Sequence, residues 1–93
     1  MARKRHLSRI AVMQVLFERE KHEKCDPIES LVRNSKELGE LDQSFADSLL
    51  KGVTEHDADL RKAIESHAPD WPMSRMDPIS RAILLLGAYE LLI

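Results

Sequence analysis

Cysteine, glycine and long apolar stretches are all scarce in this chain of 93 residues. The single cysteine, Cys25, cannot form a disulfide within the chain, so nothing indicates an oxidising compartment. The longest apolar stretch, 82–93, is interrupted by Glu90 and is far shorter than the roughly 20 residues that span a bilayer. The basic N-terminus also lacks the apolar segment of a signal peptide. We therefore predict a cytoplasmic protein that does not enter a membrane.

The composition favours helices over sheets. The chain has three glycines, and its Val, Ile and aromatic residues do not form the alternating runs of a sheet protein. Hydrophobic residues make up 43% and charged residues 32%, which is typical of a folded, helix-rich protein. A chain of this length can form at most one domain. We predict a single all-α domain over 1–93.

Charge is unevenly distributed along the chain. The segment 1–17 contains four formal positive charges and His6 but no acidic residue, although the net charge of the whole chain is −2. The rest of the chain is therefore acidic. Such asymmetry points to a nucleic acid at the basic end and to a basic partner elsewhere. We call the residues 1–9 the basic segment and expect it to precede the first helix as an arm.

Apolar periodicity and capping residues predict the helices. The first helix is expected to bury Ile10, Met13 and Phe17 as one stripe, with Val12 and Leu16 beside it. The second begins at Asp26, an N-cap followed by Pro27, with Glu29 placed to close a capping box, and it ends at Gly39. The apolar residues of this second helix are Ile28, Leu31, Val32 and Leu38.

One long third helix is expected from 41–42 up to Pro69, with a buried stripe of Phe45, Leu49, Val53, Leu60 and Ile64. Gly52 inside it marks either a close approach of another helix or a bend. Asp77 and Pro78 repeat the N-cap device ahead of a final helix. That helix is apolar on almost every side, so we expect further helices of a longer protein, or another chain, to cover it.

Three stretches carry a family resemblance: "DWPMSRMDPISRAILLLGAYELL" near the end, "AVMQVLF" at 11–17 and "FADSLLKGV" at 45–53. They resemble the NusB family, whose signature joins Asp-Trp, Arg, Asp-Pro, Arg-Ala-Ile-Leu and Ala-Tyr-Glu-Leu. The family continues beyond this signature with further helices that complete a second small bundle. The resemblance therefore implies a NusB-like helical bundle that is truncated at its C-terminus.

The resemblance also implies a function. NusB proteins act without catalysis or cofactor in transcription antitermination. They bind single-stranded boxA-type RNA together with the ribosomal protein NusE, in a complex with RNA polymerase. Because the last helix is apolar, it could also pack against a second copy of the chain in a homodimer. An alternative is the N-terminal RNA-binding domain of a ribosomal RNA cytosine methyltransferase, and a third is a helical adaptor that binds only protein.

The candidate RNA-binding residues are Arg3, Lys4, Arg5, His6, Arg9, Phe17 and Arg81. Arginine suits phosphate and base recognition because its planar guanidinium forms paired hydrogen bonds and stacks. Each candidate also has an explanation without RNA. The basic segment could be a solvated tail, Phe17 could be a core residue, and Arg81 could lie on the solvent-exposed edge of a buried helix. We expect Trp71 and Tyr89 in the core, and we expect Glu90 either to cap a helix or to pair internally. His22 and Cys25 alone do not make a zinc site, and no catalytic motif is present.

Overall fold

The computed structural model describes residues 2–22, 24, 26–70 and 72–92. It contains five α-helices and one 3₁₀ turn: α1 (Ala2–Lys21), α2 (Pro27–Leu38), α3 (Gln43–Glu55), α4 (Asp57–His67), the turn Met73–Arg75 and α5 (Pro78–Leu92). No strand occurs in these ranges, so the all-α prediction is confirmed. The predictions for Cys25, Trp71 and Ile93 fall outside the described residues.

Aspartates begin three of the helices. Asp26 caps α2 as predicted, and Asp77 accepts a hydrogen bond from the backbone N–H of Ser80 at 2.8 Å at the start of α5. Asp42 caps α3 in the same way, through the N–H of Phe45 at 3.1 Å. A carboxylate in this position satisfies one of the backbone donors that a helix leaves unpaired at its start.

The expected arm is itself helical, which corrects the sequence prediction. Helix α1 begins at Ala2, and its first turns contain no acidic residue. Positive charge at a helix start is unfavourable, so tertiary contacts must offset it. The fully buried hydroxyl of Ser8 supplies one: it accepts a hydrogen bond from the N–H of Asp42 at 3.0 Å and donates to the carbonyl of Lys4 at 2.7 Å.

The buried row of α1 includes the predicted Val12 and Leu16 but otherwise differs from the prediction. The fully buried residues are Ser8, Ala11, Val12, Val15 and Leu16. Ile10, Met13 and Phe17 are only half-buried. Both rows have helical spacing, and the row with smaller side chains permits the closer approach of neighbouring helices.

The predicted long third helix is divided into two. His56 separates α3 from α4, although its carbonyl still accepts from the N–H of Leu60 at 2.8 Å. The backbone angles of His56, φ −101° and ψ 13°, depart from helical values and mark the break. Gly52 itself permits close approach, because a Cβ there would lie 2.1 Å from the hydroxyl oxygen of Tyr89.

Helix α1 is central and packs against α2, α3 and α5. Ala82, Leu85 and Leu86 of α5 are buried in the shared core. The apolar side chains of α5 that stay exposed are Ile79, Ile83, Leu84, Leu91 and Leu92. Incomplete cover of α5 is thus confirmed. Of the apolar residues of α2, Leu31 is buried, whereas Ile28 and Val32 are exposed. Across the described ranges, no helix combines the length and apolarity of a membrane span.

Candidate nucleic-acid interface

One face of α1 lies opposite its buried row, although the Phe17 ring on it also packs partly against the core. Residues three, four or seven apart share a helix face, and the set opposite the buried row is Arg3, His6, Ile10, Phe17 and Lys21. Arg3, His6 and Lys21 are exposed, and Ile10 and Phe17 are half-buried. We call this set the outer face of α1. It combines cations, an imidazole and an aromatic ring on one rigid helix.

The aromatic ring on this face already holds a cation. The ammonium of Lys21 lies 5.2 Å from the centroid of the Phe17 ring, within the range of a cation–π contact. Sequence reasoning did not include Lys21 among the site residues. The signal was present, because Lys21 follows Phe17 by four residues and therefore shares its face.

The remaining cations of the basic segment are each paired with a carboxylate from elsewhere in the chain. The pairs are Lys4 Nζ to Glu40 Oε2 at 3.4 Å, Arg5 Nε to Asp42 Oδ2 at 3.8 Å and Arg9 Nε to Glu90 Oε1 at 2.6 Å. The pairing of Glu90 agrees with the sequence expectation of an internal partner. Because all three cations remain well exposed, a phosphate can still compete with these carboxylates.

Arg5 and Arg9 share a second contact. Their guanidinium carbons lie 5.4 Å and 5.1 Å from the centroid of the Phe45 ring. Stacking on an aromatic ring orients a planar guanidinium and leaves N–H groups at its edge for another acceptor. Phe45 therefore orders two cations of the basic segment beside α3.

Arg81 lies elsewhere. Its Nη1 donates to the carbonyls of Met73, at 3.2 Å, and Met76, and its Nε lies 3.7 Å from Glu20 Oε2. Only 16% of the side chain is exposed. Glu20 follows Arg9 by 11 residues, or about 16 Å along the axis of α1. The structure therefore does not bring Arg81 to the basic segment. Its contacts tie the 3₁₀ turn to α1.

An ion-pair cluster fixes α4 against α1. Asp57 accepts from Arg19 Nη2 at 2.6 Å and from Arg61 Nε at 2.8 Å, and Arg61 also donates to Glu20. Burial alone would raise the pKa of Asp57, but the hydrogen bond from Arg61 and the charges of both guanidinium groups outweigh it and lower the pKa. The cluster is structural, and its α1 members, Arg19 and Glu20, are not part of the outer face.

A second cluster fixes α2 against α1. Glu18 accepts from the buried hydroxyl of Ser30 and from Arg33 Nη1 at 2.8 Å. The hydrogen bond from Ser30, followed by that from Arg33, lowers the pKa of Glu18. This carboxylate is thereby held away from the outer face by internal partners. Within the part of the chain that the structure describes, no group of three or more His, Cys, Asp or Glu side chains could hold a metal ion.

Comparison of the sequence with known proteins places the chain in a family. The model of the NusB family matches residues 6–93. The chain belongs to the NusB family. It is 32% identical over its whole length to the transcription antitermination protein NusB of Chloroflexus aggregans, of which it covers 63%. It is 35% identical over its whole length to that of Roseiflexus castenholzii, covering 66%, and 35% identical over 90% of its length to that of Helicobacter pylori, covering 62%.

The chain thus spans just under two thirds of the length of these NusB relatives. The family match includes the signature stretch but only residues 6–9 of the basic segment, and it confirms the family predicted from the sequence. No solved structure matches the chain.

Proposed function

We propose that this chain binds single-stranded RNA through the basic segment and the outer face of α1, and that it acts in transcription antitermination. The observation that carries the proposal is that Arg3, His6, Phe17 and Lys21 share the outer face of α1, whose N-terminal end is the acid-free basic segment. The relatives' names support the antitermination role, because each is a transcription antitermination protein.

The chemistry of the outer face suits a single strand. Arg3 and His6 supply donors for phosphate oxygens, and Phe17 with Lys21 supplies a ring and a cation for an unstacked base. Lys4, Arg5 and Arg9 join this contact when RNA phosphates displace their carboxylate partners. The RNA we propose is boxA-type. We assign no RNA contact to Arg81 in this proposal, since its guanidinium is occupied by the 3₁₀ turn.

The partners we propose are the ribosomal protein NusE and an antitermination complex containing RNA polymerase. The acidic balance of the chain outside the basic segment favours a basic protein partner. The exposed apolar side chains of α5 supply a surface for association, with NusE or with a second copy in a homodimer. Light scattering of the chain, alone and mixed with NusE, distinguishes these assemblies by mass.

The RNA contact is tested by replacing Arg3, Lys4, Arg5 and Arg9 with alanine. We expect weaker binding of a boxA-type oligonucleotide and a log–log salt slope that is smaller by up to about 3, since a single strand contributes about 0.7 per neutralised phosphate. Filter binding between low and moderate salt measures both quantities.

The matched control replaces Lys36 and Lys62 with alanine, because both are exposed on helices other than α1. This variant changes net charge but should keep most of the parental salt slope. Equal affinity and slope for the parent and the quadruple variant would contradict RNA binding by the basic segment.

A further inference from the structure

A small recess lies where α3 meets the last turns of α5, directly beside the Arg9–Glu90 ion pair. Its lining residues are Phe45, Ser48, Leu49, Tyr89 and Glu90, and its volume is about 260 Å³. Pockets for whole drug-sized ligands or cofactors begin near 300 Å³. The α3–α5 recess therefore suits a single small planar group.

The walls of the recess are aromatic and held in place. Phe45 and Tyr89 are half-buried and pack against the core. Leu49, one turn after Phe45 on α3, is buried. The Tyr89 ring sits over Gly52, and its plane is tilted by 45° to the ring of His56 at a centroid distance of 6.1 Å. Ordered aromatic walls are what an unstacked base requires for stacking.

The polar rim of the recess accepts hydrogen bonds. Glu90 uses Oε1 for Arg9, but an ionised carboxylate has about four acceptor positions, so capacity remains. An acceptor-only group pairs with the exocyclic amino groups of cytosine, adenine or guanine. In uracil a carbonyl oxygen replaces the C4 amino group of cytosine, and the one donor on its pairing edge, N3–H, is flanked by two carbonyl oxygens that a carboxylate repels. The rim therefore favours amino-bearing bases over uracil.

Cations lie on the α1 side of the same recess. The guanidinium groups of Arg5 and Arg9 lie within 5.4 Å of the Phe45 ring centroid, and 61% and 43% of these side chains are exposed. A nucleotide whose base occupies the recess would place its phosphate toward this edge. Phosphate and base are then recognised by neighbouring parts of one site.

We propose that the α3–α5 recess binds one unstacked RNA base that carries an exocyclic amino group, with the adjoining phosphate on Arg5 and Arg9. This inference rests on the proposed function for the presence of RNA at the basic segment. It adds a source of base preference that the cations alone do not supply, because phosphate contacts carry no sequence information.

The test fills the recess without touching the ion pair. Ser48 is exposed at its edge, so Ser48→Leu occupies the space while Arg9 and Glu90 are unchanged. The control, Ser66→Leu, changes an exposed serine on α4 in the same chemical way. Fluorescence anisotropy with ten-nucleotide oligo-C and oligo-U gives the affinity of each variant, and circular dichroism melting checks that each is folded.

We expect the parent and Ser66→Leu to bind oligo-C about fivefold or more tightly than oligo-U, near the lower end of the discrimination given by one good side-chain contact to a base. Ser48→Leu should bring this ratio close to one, mainly through weaker oligo-C binding. Glu90→Gln should also reduce the ratio, because an amide can donate to uracil.

An unchanged ratio in Ser48→Leu, or equal affinities for both oligonucleotides in the parent, overturns the recess as a base site while leaving RNA binding intact. Failure of the parent to bind either homopolymer overturns this inference, and failure to bind the boxA-type oligonucleotide as well overturns the proposed function.

Discussion

Replacing Gly52 by alanine tests the closest approach between α3 and α5. The added Cβ would lie 2.1 Å from Oη, 2.2 Å from Cζ and 2.5 Å from Cε1 of Tyr89. Carbon atoms pack at about 3.5–4.0 Å, so the ring must move by more than 1 Å. Tyr89 is half-buried and can turn toward solvent, but it then loses part of its packing on the core.

The expected cost follows from two opposing effects. Overpacking costs about 1–3 kcal/mol, whereas exchanging glycine for alanine inside a helix stabilises by up to about 1 kcal/mol. We therefore expect Gly52→Ala to lower the free energy of unfolding by about 1 kcal/mol. Urea denaturation followed by circular dichroism measures this change.

Gly87 provides the matched control. It also lies inside a helix, α5, and no described atom outside its own helix lies within 4 Å of the position of an added Cβ. Gly87→Ala should stabilise by up to about 1 kcal/mol, so the difference between the two variants isolates the contact with Tyr89. In a Tyr89→Ala background, Gly52→Ala should become stabilising as well. Equal stability of Gly52→Ala and Gly87→Ala in the parental background would refute the close approach.

Three further predictions concern carboxylates. Glu40→Gln removes the partner of Lys4 and should tighten RNA binding by up to about fivefold, since an exposed pair contributes up to about 1 kcal/mol; filter binding would show no such gain if Lys4 does not contact RNA. Asp77→Ala removes the cap of α5 and should lower the melting temperature by about 2–8 °C; a melting curve that overlays the parent's contradicts this. Asp57→Asn should destabilise by about 1–2 kcal/mol at pH 7, because two guanidinium groups lose a charged acceptor. The pKa of Asp57 is lowered by folding, so its contribution is complete above about pH 4 and is lost as the pH falls through the folded pKa. The stability difference between parent and Asp57→Asn should therefore shrink below pH 4, and a constant difference from pH 7 to pH 3 in urea titrations would refute the assignment.

Short-range chemistry was predictable from the sequence. The caps of α2 and α5 depend on a carboxylate and on N–H groups two or three residues away, so Asp26 and Asp77 could be assigned without a structure. The all-α class followed in the same way from spacing and composition. The excess of apolar side chains on α5 was also visible, because no single neighbour can cover a helix that is apolar on every side.

The start of α1 and its buried face were not predictable. The charges at 3–9 oppose the helix dipole, and only contacts such as that of Ser8 with Asp42 explain why the segment is helical. Two rows of α1 had suitable spacing, and packing chose the one that contains Ser8 and Ala11. The break at His56 was likewise hidden, because the apolar spacing continues across it from Val53 to Leu60.

For the candidate site, the sequence determined which residue types were available and approximately where they occur. It placed cations at 3–9 and an aromatic ring at Phe17. Only the tertiary structure showed that Lys4, Arg5 and Arg9 pair with carboxylates, whereas Arg3 and His6 lie on the outer face of α1. The partner of Arg9 is Glu90, 81 residues later in the chain. The tertiary structure also assigned Arg81 to the 3₁₀ turn. Ion pairs between distant parts of a chain depend on how helices pack, and packing is set by the whole core rather than by any local pattern.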